Sequence, residues 1–322
     1  MAKEKNERDF NKELVDKQIE TYFKLKSMYD RVVDAILSSI PLLSLPVDEP
    51  IRIDRYDYLY KAINGEINKL NATVYQYIRD TTREAWDLAN EKATFILTNE
   101  FEKRGLKVPT GMKERNIAEY KKFAKQKIKG VDMSGRVWNI GAGYKKEIEE
   151  AVNAAIREGK SANELAGDIK KYLNNPDARF RRIRDKAGEL KLSTNAMRYN
   201  PGQGVYRSAF QNALRLARNE INLAFHQAEY ERWQVMPFII GYKVRNSQNR
   251  VSTVCDICKA IDGVEFPKSI HVLPVHIQCM CTAISIQCSD EEFKRISNGE
   301  KVIPKEIAMN ETAKSHVEKY MK

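Results

Sequence analysis

The sequence predicts a mainly helical α+β protein, with a helical N-terminal region followed by a helical domain that carries a small β-sheet framed by cysteine and histidine. Three observations predict it. Apolar residues recur at three- and four-residue spacing through most of the chain, short β-branched runs are confined to its last third, and all five cysteines fall between Cys255 and Cys288. The 322 residues fit about two domains of roughly 100–200 residues each. With 42% hydrophobic and 31% charged residues against 15 Gly and 10 Pro, the chain has the apolar mass for a packed interior, which excludes a collagenous or disordered chain.

The first helix is read from Phe10, Leu14, Val15, Tyr22, Leu25, Tyr29, Val32, Val33, Ile36 and Ile40, which fall along one helical face until Pro41, Pro46 and Pro50 break the chain. A second pattern starts near Asp54 and carries Tyr60, Ile63, Ile67, Leu70, Val74 and Tyr77 onward through Trp86, Ala89, Ala93 and Ile96. Such a stripe wants a partner helix and predicts an antiparallel bundle. Beyond Pro109-Thr110-Gly111, the run Lys113 to Lys129 holds seven Lys and Arg against two Glu, with Ile117, Tyr120, Phe123, Ala124 and Ile128 at helical spacing. A single basic amphipathic helix is expected there. The window Gly130 to Gly143 loses the charged periodicity and holds four glycines, so a domain junction is placed in it. The expected division is a helical N-terminal domain over 1–130, a second domain over 131–288 and a C-terminal tail over 289–322.

In the second domain, Lys145 to Arg157 reads as a helix ending at Gly159, and Ser161 with Glu164 forms a capping box for Ala162 to Leu173. Asn174 to Gln203 is polar and basic, with Arg179, Arg181, Arg182, Arg184, Lys186, Lys191 and Arg198, and reads as a connection. Ser208 to Val235 returns to helix. His226 on that helix, beside Phe225, reads as a hydrogen-bonded packing residue. Pro237 ends the helix, and Phe238 to Val244, Val264 to Phe266 and Thr282 to Ile286 have the β-branched and aromatic content of strands, with a turn at Asp262-Gly263.

Lys and Arg number 55 against 44 Asp and Glu, a net charge of +11, so the surface favours a polyanion. The first residues alternate in charge where a signal peptide needs an apolar core. The most apolar stretch, Val32 to Val47, contains Asp34, three Ser and two Pro, and does not make a bilayer-spanning helix. The basic run and the basic connection supply candidate DNA contacts at Lys121, Lys122, Lys125, Arg179, Arg181, Arg182 and Arg184, directed at phosphate and without sequence preference.

The chemistry is concentrated in the cysteines. Cys255-Asp256-Ile257-Cys258 precedes His276-Ile277-Gln278-Cys279-Met280-Cys281 by 17 residues. Two residues between Cys255 and Cys258 let both thiolates reach one ion from a tight turn, and the second arm can close a tetrahedron, so a structural Zn2+ is expected. Five candidates compete for four positions: Cys255 and Cys258 form the firmest pair, while His276, Cys279 and Cys281 share the rest. The rival reading is a group of reduced thiols packed as small hydrophobes, or a disulfide. Cys288 stands apart and reads as packing. With no nucleophile elbow, phosphate loop or dinucleotide fingerprint, no enzyme is expected.

The segment Cys255-x-x-Cys258, Ile261-Asp262-Gly263-Val264-Glu265-Phe266-Pro267, Pro274 and His276-Ile277-Gln278-Cys279-Met280-Cys281 resembles the signature of the phage head morphogenesis family, the minor head proteins similar to the F protein of phage Mu. Gly159 to Ala166, Leu216 to Glu220 and Ala224 to Ala228 resemble that family's helical elements. Ile277 stands where the family usually has Pro, and Met280 where it has Arg; neither departure removes a metal ligand. The resemblance covers roughly residues 131 to 288. It implies a minor capsid protein that acts at the portal vertex in head assembly, with DNA packaging or ejection as a further role, assembled in the bacterial host cytoplasm and resident in the virion head or at the portal vertex. The implied partners are the portal protein, other capsid or scaffold proteins and DNA, with no membrane, and the N-terminal helices would pack on the portal or another partner. The alternative is a zinc-knuckle nucleic-acid-binding protein that is not part of a virion.

Overall fold

The computed structural model describes residues 5–39, 56–158, 161, 163, 164, 167, 170, 182–184, 187, 190–192, 208–246 and 254–321. Its elements are α1 (Glu7–Ser39), α2 (Tyr56–Lys103), a 3-10 turn (Thr110–Lys113), α3 (Ile117–Ala124), α4 (Met133–Glu158), β1 (Arg182–Arg184), β2 (Leu190–Leu192), α5 (Ala209–Gln234), β3 (Ile239–Arg245), α6 (Asp256–Ala260), β4 (Glu265–Pro267), β5 (Thr282–Gln287), α7 (Asp290–Ser297) and α8 (Glu311–Tyr320). The mainly helical α+β class is the one observed. No helix among the described residues is long and apolar enough to cross a membrane.

The chain divides into two compact units that are not sequential. One comprises Met1–Ile19, Ile78–Gln126 and Arg218–Lys322, the other Glu20–Tyr77 and Lys127–Ala217. The expected junction at 130/131 lies close to the boundary at Gln126/Lys127, but the domain expected over 1–130 is shared between the units. The reason is the length of the helices: α1, α2 and α5, with 33, 48 and 26 residues, each contribute one segment to either unit.

In the second unit the predicted stripes are buried: Leu25, Tyr29, Val32, Val33 and Ile36 from α1, and Ile63, Ile67, Leu70 and Val74 from α2. Tyr29 lies 4.9 Å from Tyr144 of α4 and 5.7 Å from Phe210 of α5, ring to ring. The glycine-rich window, by contrast, is largely helical. It is not a break, because α4 runs through Gly135, Gly141 and Gly143. Gly141 faces the amide of Asn71 so closely that a Cβ would collide with it, so the glycine lets two helices approach. The true turn is Lys129-Gly130, both at positive φ. Ser161 and Glu164 form the expected capping box, each side chain bonding the other residue's main-chain N–H. Of the basic connection, Arg182–Arg184 and Leu190–Leu192 pair as an antiparallel ribbon. Arg179 and Arg181 lie outside the described residues.

The first unit holds the sheet, in the order β4-β3-β5 and antiparallel throughout. Ile96, Leu97 and Phe101 of α2, Trp233 of α5, Phe238, Val244 and Phe266 of the sheet region, and Phe293, Ile296 and Ala313 form its core. The described residues 289–321 of the expected tail therefore pack on this unit. Ser289 and Glu292 cap α7 reciprocally, and the apolar faces of α7 and α8 bury Phe293, Ile296 and Ala313.

The basic helix expected over 113–129 is only the eight residues Ile117–Ala124. Asn116, at the position where a cap is needed, makes no capping bond. Its amide instead accepts from Trp86 Nε1 at 2.9 Å and Asn90 Nδ2 at 2.7 Å, and donates to the Ala228 carbonyl at 3.0 Å. An anchor to α2 and α5 has replaced the helix start. Lys121, Lys122 and Lys125 remain exposed.

Gly241 in β3 supports a tight crossing, since a Cβ there would lie 2.7 Å from the Phe266 carbonyl and collide with the side chain of Ile307. The Ile307 N–H donates to the Ile240 carbonyl at 3.2 Å, fixing that segment on the sheet. Gly241→Ala is predicted to cost about 1–3 kcal/mol by overpacking, read from denaturant unfolding; an unchanged midpoint would contradict the crossing.

Candidate metal centre

The first arm begins at the end of β3. The Asp262 carboxylate accepts the Asn246 N–H at 2.9 Å, and Gly263, at φ 78°, donates its N–H to the Val244 carbonyl at 2.8 Å. Between these anchors α6 is a single turn whose cap is Cys255, with the sulfur accepting the Cys258 N–H at 3.4 Å. One helical turn carries Cys255 and Cys258 to the same side.

The second arm turns at His276–Cys279, where the Cys279 N–H reaches the His276 carbonyl at 3.1 Å and Gln278 takes φ 62°. His276 Nδ1 lies 2.8 Å from the Ile277 carbonyl. A carbonyl only accepts, so Nδ1 carries the proton and Nε2 keeps a free lone pair. That Nε2 lies 3.1 Å from the sulfurs of both Cys255 and Cys258. Cys258 Sγ is also 3.9 Å from Cys279 Sγ, and the Cys281 N–H donates to Cys279 Sγ at 3.4 Å.

The five side chains thus form two triads that share Cys258, namely Cys255/Cys258/His276 and Cys258/Cys279/Cys281, each with its ligand atoms within 4.8 Å of one another. Metal–sulfur bonds of about 2.3 Å and a metal–nitrogen bond of about 2.0 Å give tetrahedral edges of about 3.5–3.8 Å, so the observed spacings are of the right size to hold a metal ion. Cys258, Cys279 and Cys281 are buried, whereas Cys255 is exposed.

The electrostatics fit a cation. Burial opposes ionisation of Cys255, but hydrogen bonds from the Cys258 N–H and the Cys258 thiol, with a smaller contribution from His276 when its ring is protonated, outweigh it and hold the thiol below its usual value. Hydrogen bonds from the Cys258 and Cys281 thiols depress Cys279. Cys258 is driven upward, first by its bonds to Cys279 and Cys281 and then by burial. Neighbouring thiols compete for few negative charges, and a cation among them removes the competition.

Helices hold the second arm by its main chain. Asn222 Nδ2 donates to the Cys279 carbonyl at 2.9 Å, and His226 Nε2 lies 3.1 Å from the Cys281 carbonyl. The Ala283 carbonyl accepts from Asn11 Nδ2 at 3.0 Å and Lys92 Nζ at 2.7 Å, while Glu7 accepts the Ser285 N–H at 3.1 Å. His226 is therefore a packing residue, with Nδ1 3.3 Å from Glu229. Lys92, fully buried, bonds Glu229 at 2.5 Å and Asn11 Oδ1 at 2.9 Å. Burial raises the Glu229 carboxyl, but Lys92 and His226 overcome it and hold it below its usual value. His271, stacked on Tyr230 with centroids 4.5 Å apart, is held down at about 4, chiefly by burial. Cys288 lies in the core, as expected.

The residues not anticipated are Lys92, Asn222, Glu229, Asn11 and Glu7. A signal existed for Lys92, which stands among Ala85, Ala89, Ala93 and Ile96 on the buried face of α2. No family model, curated protein or solved structure matches the chain.

Lys92→Met strands the buried Glu229 and is predicted to destabilise by about 3–5 kcal/mol, with Lys92→Met/Glu229→Leu recovering much of the loss; equal unfolding midpoints for Lys92→Met and the parent would contradict the pairing. Because the native carboxyl of Glu229 lies below its usual value of 4.5, its contribution is present above that pH and lost as pH falls through the native value. Glu229→Gln should therefore flatten the acid limb of the stability profile.

Proposed function

We propose that this chain is a phage minor head protein, similar to the Mu F-like family, acting at the portal vertex during head assembly. The observation that carries the reading is that Cys255, Cys258 and His276, from two arms separated in sequence, gather within 4.8 Å of one another, with the Cys279 sulfur reached from the shared Cys258 at 3.9 Å. That meeting is what the spacing shared with the family requires. In this reading the ion is zinc, held by Cys255, Cys258 and His276, with Cys279 as the fourth ligand because its sulfur lies 3.9 Å from that of Cys258.

A zinc ion with four protein ligands has no open position, so its work is structural: it closes the loop between α6 and β5 and fixes the sheet edge that α1, α2 and α5 grip. The chain is accordingly read as a non-enzymatic virion component. Its exposed lysines Lys121, Lys122 and Lys125 suit phosphate contacts near packaged DNA that carry no sequence preference and weaken as salt rises. The portal and other capsid or scaffold proteins are the proposed protein partners.

Cys258→Ser removes the sulfur common to both triads and is predicted to abolish stoichiometric zinc and lower the melting temperature. Retained zinc with unchanged melting would reject the knuckle. For the biological role, mass spectrometry of purified precursor and mature heads is predicted to find the chain in both or in precursor heads alone. Its absence from all heads, with recovery on cellular nucleic acid, would reject the virion role in favour of a nucleic-acid-binding regulator.

A further inference from the structure

The zinc reading leaves Cys281 unused, yet Cys281 is buried at 2% exposure, between Cys279 at 1% and Cys258 at 4%. Its sulfur lies within 4.8 Å of both. Each triad has its own internal N–H···S bond, from Cys258 to Cys255 in one and from Cys281 to Cys279 in the other. The two triads also differ in chemistry. One contains an imidazole nitrogen and an exposed thiol; the other is sulfur alone, dry on all three members.

We propose that Cys258, Cys279 and Cys281 form a second, all-sulfur site for a thiophilic ion of low coordination number, represented by Cu(I), which uses Cys258 in common with the zinc set and excludes His276. Thiolate sulfur selects soft ions, whereas imidazole nitrogen suits borderline ions such as zinc or cobalt. A ring of three buried sulfurs offers a soft ion its full complement of donors and gives water no way to complete a fourth position. For zinc the same ring is one ligand short, and the nearest remedy is to move toward His276 and Cys255. Cys258, 3.1 Å from His276 Nε2 and 3.9 Å from Cys279 Sγ, is the pivot that makes the two states exclusive. The ions therefore compete, and the identity of the bound ion determines whether the exposed Cys255/His276 side is engaged or free. This inference rests on the reading of the knuckle as a metal centre.

The test is anaerobic titration of the full chain with Co(II), followed by its thiolate charge-transfer and d–d absorption, and with Cu(I) in competition with a Cu(I) chelator. Parent protein is compared with His276→Asn, Cys255→Ser and Cys281→Ser. His276→Asn and Cys255→Ser are expected to weaken Co(II) by about tenfold or more while leaving Cu(I) within about twofold, and Cys281→Ser to do the reverse. Bound Cu(I) should also block Co(II). Equal weakening of both ions by His276→Asn and Cys255→Ser, or Cu(I) affinity indifferent to Cys281→Ser, overturns the second site. Because Cys255 is exposed, its substitution tests the split without disturbing the core, so a fold defect in another variant does not mask the answer. Uptake of Co(II) without Cu(I) overturns this inference alone, whereas uptake of neither ion overturns the metal reading as well.

Discussion

Thiols packed within a few ångströms of one another, most of them out of water, cannot all ionise unless a cation lies among them. That constraint governs the carboxyl-terminal third of this protein. The sulfur of Cys258 lies 3.1 Å from the His276 imidazole and 3.9 Å from the sulfur of Cys279. Its ionisation is opposed chiefly by its bonds to the other thiols. The protonated Nδ1 of His276, held by the Ile277 carbonyl, leaves Nε2 to complete the set. The cluster is of the right size to hold a metal ion, and the local turns, the positive φ at Gln278 and the sulfur cap on α6 bring its members to one place.

The scaffold solves a second problem at the same place. β5 lies at the edge of its sheet, and an edge strand presents unpaired main-chain groups that invite further strand addition. Here donors and acceptors from three helices occupy successive alternate residues: Asn222 at Cys279, His226 at Cys281, Asn11 and Lys92 at Ala283, and Glu7 at Ser285. The period of two matches that of an extended strand, so one face of the helical layer reads one edge of the chain. The buried Lys92–Glu229 pair is part of this seam. Its charge attraction roughly offsets the desolvation cost of the two buried ions, so the pair adds little net stability while it orients the donors.

Helix periodicity was legible because the stripes on α1, α2 and α5 face cores built from the same chain, and the strands followed from β-branched runs bounded by turns. The two cysteine and histidine arms were legible because their spacing is a local property. The seam between them was not, since Lys92 and Glu229 meet across 137 positions and each reads alone as an ordinary helical charge. The glycine window misled for a related reason: Gly141 is required by the approach of Asn71, a distant residue, and local composition makes such a glycine look like a break. The basic helix shortened because Asn116 serves Trp86, Asn90 and Ala228 instead of its own helix, again a tertiary demand overriding a local pattern. The C-terminal helices carry local cues of their own, the Ser289–Glu292 capping box and the apolar spacing of Phe293 and Ile296.

The proposed role in the phage head depends on the knuckle being a true coordination centre, because the resemblance is sharpest there. X-ray absorption at the zinc edge, on the full chain loaded with one equivalent of zinc, addresses that point without mutation. The account predicts a shell dominated by sulfur at about 2.3 Å with a nitrogen at about 2.0 Å. A shell made only of oxygen and nitrogen, or no retained zinc after desalting, would contradict it.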